Sequence, residues 1–220
     1  MQTLETVFLQ HFDAIAGGLF GFVTALIGAL VGGLFTLRGV DKEAKITRRQ
    51  AEKESLELQL SVLKGTKGEV SILLALYDVR MKEAVDALQH NQPLSVVFPI
   101  GDDNFTFYEQ NAKEIAKLKD ESRDAIISIY TYARSLIQSY KANNKFIDEY
   151  GEALIEVRKS NHDDFYVTLL NEKFQLLITY GQAIKMIDGE TRRAIENGFN
   201  TMNLEIKRIE DELSMWDKVK

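Results

Sequence analysis

The chain has 220 residues, a formal net charge of −6, no cysteine and only two prolines, Pro93 and Pro99. Lack of cysteine excludes a disulfide framework, a thiolate metal site and a thiol nucleophile. The acidic balance argues against a broad nucleic-acid-binding surface, which needs clustered cations against phosphate. So few prolines leave the backbone free to be helical nearly everywhere.

Residues 14–37 contain no formal charge and hold six of the fourteen glycines. A hydrocarbon core about 30 Å thick takes roughly 20 helical residues to cross, so the run is long enough to span a bilayer. A cleaved secretory signal would need a basic start and a shorter apolar stretch. Here the first thirteen residues carry Glu5, His11 and Asp13 and no Lys or Arg. A buried helix in water would lose about 0.8–1 kcal/mol at each glycine. An interfacial helix would need a charged face, which this run lacks. A single N-terminal transmembrane helix at 14–37, after a short flank at 1–13, is therefore expected.

Within the run, Gly17, Gly21, Ala25, Ala29 and Gly33 recur every four residues, with Gly28 and Gly32 beside them. In lipid, helices associate through close backbone approach, and small residues at this spacing permit it. The stripe is the candidate site of membrane-helix association, which predicts a homo-oligomer. The alternative is a plain anchor with small residues of no special role.

Immediately after the run come Arg38, Lys42, Lys45, Arg48 and Arg49, with Lys53 beyond. Basic residues stay on the cytoplasmic side during insertion, so the N-terminus is expected outside and the larger part in the cytoplasm. This basic flank can also sit against anionic lipid headgroups. Its acidic neighbours Asp41, Glu43 and Glu52 oppose that attraction.

Residues 38–68 read as a charged helical stalk, with Gly65 and Gly68 predicted to break or hinge it. Roughly 150 residues remain at 69–220, enough for one helical bundle. Val70, Leu73, Leu74, Tyr77, Met81, Val85 and Leu88 follow one helix face over about 69–89. The helix must stop before Pro93, because the preceding residue disfavours helical angles.

Residues 94–108 depart from this habit. Extended-favouring Leu94, Val96, Val97 and Phe98 precede a Gly101-Asp102-Asp103-Asn104 turn and an aromatic cluster. A short hairpin or an extended loop is expected, and it is a candidate partner-contact surface. Helix resumes near Glu109, pauses at Lys119-Asp120, and continues along Ile126, Ile129, Tyr130, Ala133, Leu136, Ile137 and Tyr140. Asn143-Asn144 is predicted to end it, and Phe146, Ile147, Tyr150, Leu154 and Val157 mark another. Ser160-Asn161 reads as the N-cap of a helix reaching about Asp188.

The last segment has a heptad pattern. Ile195, Met202, Ile209 and Trp216 are seven apart, interleaved with Phe199, Ile206 and Leu213. This row suits a coiled coil or the core face of a bundle; the core is preferred here. The expected fold class is all-α: a membrane helix, a stalk and a cytoplasmic bundle.

Nothing in the chain assembles into a catalytic constellation. The histidines are His11, His90 and His162; Asp86 and His90 could form half a metal site, but no matching second pair exists. Phosphate-loop and zincin patterns are absent. Tyr130, Tyr132, Tyr140, Tyr150 and Tyr166 fall mostly on apolar helix faces, which points to packing. No enzyme activity, cofactor or metal is expected.

Phe98-Pro99-Ile100, then Phe107-Tyr108-Glu109-Gln110-Asn111-Ala112 and the helix at 115–118, form a recognisable pattern, as does Ile129-Tyr130-x-Tyr132-Ala133. It resembles small single-span bacterial membrane proteins of phage-defence operons, and among them the transmembrane effector of retrons. The likeness extends over residues 14–140 and departs at Ala116, where a glycine often stands. It implies a toxic membrane protein held inactive by a reverse transcriptase with its RNA–DNA hybrid. Phage infection would release it to perturb the inner membrane and cause abortive infection. Direct nucleic-acid binding by this chain is not expected. A second hypothesis, independent of the resemblance, is a membrane-tethered scaffold or sensor whose helical domain recruits a partner.

Overall fold

The computed structural model describes residues 4–101 and 105–218, although most side chains before residue 38, and those of 217–218, fall outside the description. The elements are α1 (Leu4–Tyr77), a π-helical turn (Asp78–Lys82), α2 (Glu83–Ala87), α3 (Thr106–Gln110), α4 (Ala112–Ile115), α5 (Asp120–Lys159) and α6 (Asp164–Lys218). Among the described residues there is no strand, so the protein is all-α. The chain divides into two compact units, Met1–Glu54 and Ser55–Lys220.

In the first unit, the predicted span at 14–37 is helical throughout as part of α1. Among the described residues no helix is long and apolar enough to cross a membrane. Most side chains of 14–37, including those at Gly17, Gly21 and Ala25, lie outside the described residues. From Arg38 to Ala51 every side chain is exposed. Thr36 and Thr47 donate to the carbonyls of Gly32 and Glu43, both at 2.9 Å, the back-bonding that hydroxyls adopt inside helices.

The second unit starts at Ser55, ahead of the stalk's predicted end at residue 68, because Val62, Leu63 and Thr66 are already buried. Gly65 and Gly68 do not break α1. Gly65 instead admits an aromatic ring: a Cβ there would lie 2.1 Å from Cζ of Phe107. The expected hinge is thus corrected to a packing notch.

Asn143 and Asn144 also leave their helix intact, and α5 runs through both. Their side chains bind a neighbouring segment rather than their own backbone. Asn143 Nδ2 donates to Leu94 O at 3.0 Å. Asn144 accepts from Phe98 N at 3.1 Å and donates to Phe98 O at 2.8 Å. The backbones of Leu94 and Phe98 therefore have side-chain partners where a hairpin would have supplied a second strand. The extended loop replaces the hairpin-like insertion, with 102–104 outside the described residues.

The connection between α5 and α6 is a reversal built by a C-cap. Asn161 and His162 adopt left-handed angles (φ 55° and 67°), and His162 N bonds Val157 O at 2.9 Å. This is the Schellman geometry, for which asparagine is tolerated in place of glycine. The N-cap role belongs to Asp163, whose Oδ1 accepts from Phe165 N at 2.9 Å, rather than to Ser160-Asn161. The α6 helix then continues unbroken past Asp188 to Lys218.

Two apolar clusters hold this unit. One joins Val62, Leu63 and Val70 of α1 to Ile126, Ile129 and Tyr130 of α5 and Ile195, Met202 and Ile209 of α6. The heptad row thus faces the bundle core, with Phe199, Ile206 and Leu213 packed against it. Each such buried side chain contributes about 1.5–3 kcal/mol relative to exposure. The other cluster gathers Tyr77, Met81, Val85, Leu88, Leu94, Leu136, Tyr140 and Ile184. Gly181 lets Leu94 approach α6, since a Cβ there would stand 3.0 Å from Leu94 N.

Candidate functional site

Between the two clusters lies a cavity of about 230 Å³, bounded by α1, α5, α6 and the segment around Phe98–Gly101. Its walls are apolar, among them Val70, Leu73, Phe105, Ile129, Ala133 and Ile137. The π-helical turn directly follows Tyr77, at one end of this cavity. Such turns accommodate an extra residue and recur at functional positions. Here the turn leaves Met81 buried and Val79 87% exposed, while Asp78 reaches Arg192.

The polar side of the cavity is a closed network. Tyr77 and Tyr140 hydroxyls are 3.0 Å apart. Their rings and that of Phe98 meet edge-on at 5.1–5.9 Å. Arg192 donates Nε to both oxygens of buried Asp188 at 3.0 and 3.1 Å, and Nη2 to Asp78 at 2.6 Å. The same guanidinium stands 5.5 Å from the Tyr77 ring centroid, a cation–π distance.

Titration behaviour follows from this enclosure. Burial pushes the Tyr77 hydroxyl far up, and the bond to Tyr140 and the Asp188 charge add to it. Burial also raises Tyr140, to about 12, because the Tyr77 bond and Arg192 only partly oppose it. Burial alone would lower Arg192, yet its bonds to Asp78 and Asp188 prevail and raise it. The tyrosines are neutral and the arginine charged at any physiological pH.

A second node fixes the loop that returns to α5. Glu69 accepts from Phe107 N at 2.7 Å, Tyr108 N at 3.2 Å and Tyr130 OH at 2.6 Å. It acts as a distant N-cap for α3, occupying the position where a helix's first amides lack partners. Tyr108 stacks on Tyr130 at 3.9 Å, and Arg134 lies over both Tyr108 and Phe105 at 5.6 Å. Burial and the Glu69 bond push the Tyr130 hydroxyl well up.

Of the residues singled out from sequence, Phe98 to Gly101, Phe105, Tyr130 and Tyr140 line this cavity, whereas the small-residue stripe and the basic flank do not. Gly28, Ala29, Gly32 and Gly33 are exposed on α1, and a Cβ at Gly28, Gly32 or Gly33 would meet nothing within 4 Å. Arg38, Lys42, Lys45, Arg48 and Arg49 are exposed further along the same helix. Of the 94–108 segment, Leu94, Phe98 and Phe105 pack into the bundle core, while Val96 and Val97 are exposed. His90 is exposed beyond the end of α2, and His162 belongs to the helix reversal. Among the described residues no group of three metal-ligating side chains comes together.

Of the five tyrosines, Tyr130 and Tyr140 are buried and hydrogen-bonded, and Tyr132 is exposed. Sequence reasoning missed Glu69, Asp78, Asp188 and Arg192. A spacing of four between Asp188 and Arg192, on the face that buries Ile184 and Ile195, was the available signal. Compared with known proteins, the chain matches no family model, no curated protein and no solved structure.

Proposed function

We propose that this chain is a membrane-anchored effector of a bacterial anti-phage defence system of the retron type. In this reading its N-terminal helix crosses the inner membrane with the N-terminus outside and the Ser55–Lys220 unit in the cytoplasm. Released from inhibition by a reverse transcriptase and its RNA–DNA hybrid, it perturbs the membrane and aborts infection. The observation that carries the proposal is the uncharged run at 14–37, bounded by the exposed cations Arg38, Lys42, Lys45, Arg48 and Arg49. The small-residue spacing from Gly17 to Gly33 supports self-association as the working step, since close helix approach is what drives packing in lipid.

Inducing the chain alone in bacteria, with a voltage-sensitive dye as readout, tests this reading. Depolarisation and growth arrest are expected, and both should be lost when Gly21 and Ala25 become Leu at equal membrane abundance. Normal potential in cells that hold abundant wild-type protein would refute the effector role.

The cavity favours a second reading, a membrane-tethered sensor or scaffold whose helical unit responds to a small molecule or a partner. Its surface also carries Ile72, Leu76 and Val79, exposed at helical spacing beside the cavity. Replacing residues 14–37 with an unrelated span separates the two. A scaffold keeps its activity after the exchange, whereas an effector acting through the stripe loses it.

A further inference from the structure

We infer that the cavity in the Ser55–Lys220 unit is a binding site for a small amphiphilic carboxylate, with its apolar tail inside and its acid group on Arg80.

Volume and wall chemistry define the tail. The space of about 230 Å³ exceeds the roughly 150 Å³ of an apolar cavity known to stay dry and to hold benzene. Leu73, Leu74, Phe105, Ile129, Ala133 and Ile137 offer it carbon surface. An unfilled apolar space forgoes dispersion contacts on every side, and an aliphatic or aromatic tail restores them.

Among the described residues, the interior's polar side chains already bond one another or the backbone. Tyr77 and Tyr140 bond each other at 3.0 Å, and Thr191 donates to Ile187 O at 2.8 Å. Arg192 is neutralised by Asp78 and Asp188. A polar head placed there would be desolvated without compensation. The head must therefore stay at the mouth, where Leu76, Arg80, Pro99 and Gly101 are exposed.

Among the described residues at that mouth, the charged side chain is Arg80. Arg80 lines the cavity, and among the described residues it has no ion-pair partner. Asp188, the carboxylate among the described lining residues, is already held by Arg192. A guanidinium presents a planar fork that matches a carboxylate in a bidentate pair. A cationic head would meet Arg80 as a like charge. The lining residues all belong to the Ser55–Lys220 unit, so the inference is independent of the proposed membrane role.

Titration calorimetry tests it on the full chain, in zwitterionic nanodiscs where lipid is required and in buffer otherwise, with empty discs as the partition control. The probes are octanoate, octanol and octylammonium. Octanoate should bind saturably at one site, and octylammonium about tenfold or more weaker. Arg80→Gln should weaken octanoate about fivefold to tenfold and leave octanol unchanged, the loss expected of one partly exposed charge pair. Ala133→Phe and Ile137→Trp should each abolish binding by filling the space. Should both filled variants misfold, transfer of magnetisation from octanoate to labelled Ile129 and Ile195 methyls of the wild type decides the matter. Absence of saturable binding, equal affinity for octylammonium, undiminished binding to a folded filled variant, or no transfer to those methyls would each overturn the inference.

Discussion

Gly65 and Gly68 lie one turn apart on the same helix and should respond oppositely to the same substitution. A glycine inside a helix costs about 0.8–1 kcal/mol relative to alanine, so both sites begin with that gain on offer. At Gly68 a Cβ would meet nothing within 4 Å, so Gly68→Ala should realise the full gain. At Gly65 a Cβ would lie 2.1, 2.5 and 2.7 Å from three atoms of the Phe107 ring. Ordinary carbon contacts lie near 3.5–4.0 Å, so the ring must retreat by roughly 1.5 Å. Phe107 is tethered by its amide to Glu69 at 2.7 Å, so the retreat must come from side-chain rotation within a packed interface. Overpacking of this kind costs about 1–3 kcal/mol, which outweighs the propensity gain. Gly65→Ala should therefore destabilise by about 1 kcal/mol net, and Gly68→Ala should stabilise by about the same amount. Thermal unfolding followed by far-ultraviolet circular dichroism should separate the two variants by about 4–8 °C, at about 2–4 °C per kcal/mol for this size. Equal melting temperatures for the two variants would refute the packing notch.

Other outcomes follow from the polar nodes. Asn144→Ala removes both bonds to Phe98 and should cost about 1–3 kcal/mol, with faster hydrogen exchange at the Phe98 amide; unchanged exchange would refute the clamp. Absorbance at 295 nm should show Tyr140 ionising only near pH 12 rather than at its ordinary 10.0. Because its folded value is raised, its contribution to stability is complete below pH 10.0 and fades as pH climbs towards about 12, a loss that Tyr140→Phe should remove. Glu205 titrates the other way: its bonds to Arg208, with help from Lys119 and against burial, hold its carboxyl below the ordinary 4.5. Its contribution is complete above pH 4.5 and lost as pH falls through the depressed value, so Glu205→Gln should flatten acid destabilisation there.

The helical faces were legible because burial repeats with the turn of the helix. Ile195, Met202 and Ile209 could be assigned to one buried row from spacing alone, and all three lie in the core. The breaks were less legible, since glycine and asparagine carry several meanings. An asparagine can end a helix by bonding its own backbone, or remain helical and bond a distant one. Which outcome prevails at Asn143 and Asn144 depends on Leu94 and Phe98, 49 and 46 residues away. The same ambiguity applies to Gly65, whose need for a bare Cα is set by Phe107. Local sequence carries no trace of either partner.

The cavity arises from the same long-range dependence. An extended segment without a second strand must find partners for its amides and carbonyls, because buried backbone groups left unpaired are costly. Asn143 and Asn144 supply them at Leu94 and Phe98, and Glu69 supplies them at Phe107 and Tyr108. These two clamps fix Phe98 on one side and Phe107 on the other, and Pro99, Ile100 and Gly101 line the cavity beside the first. The π-helical turn adds to the effect by directing Asp78 to Arg192 while Val79 faces outward. Among the described residues, a closed polar floor, apolar walls and an arginine without an ion-pair partner at the mouth accompany this fastening. Disrupting either clamp should alter the cavity before it unfolds the helices.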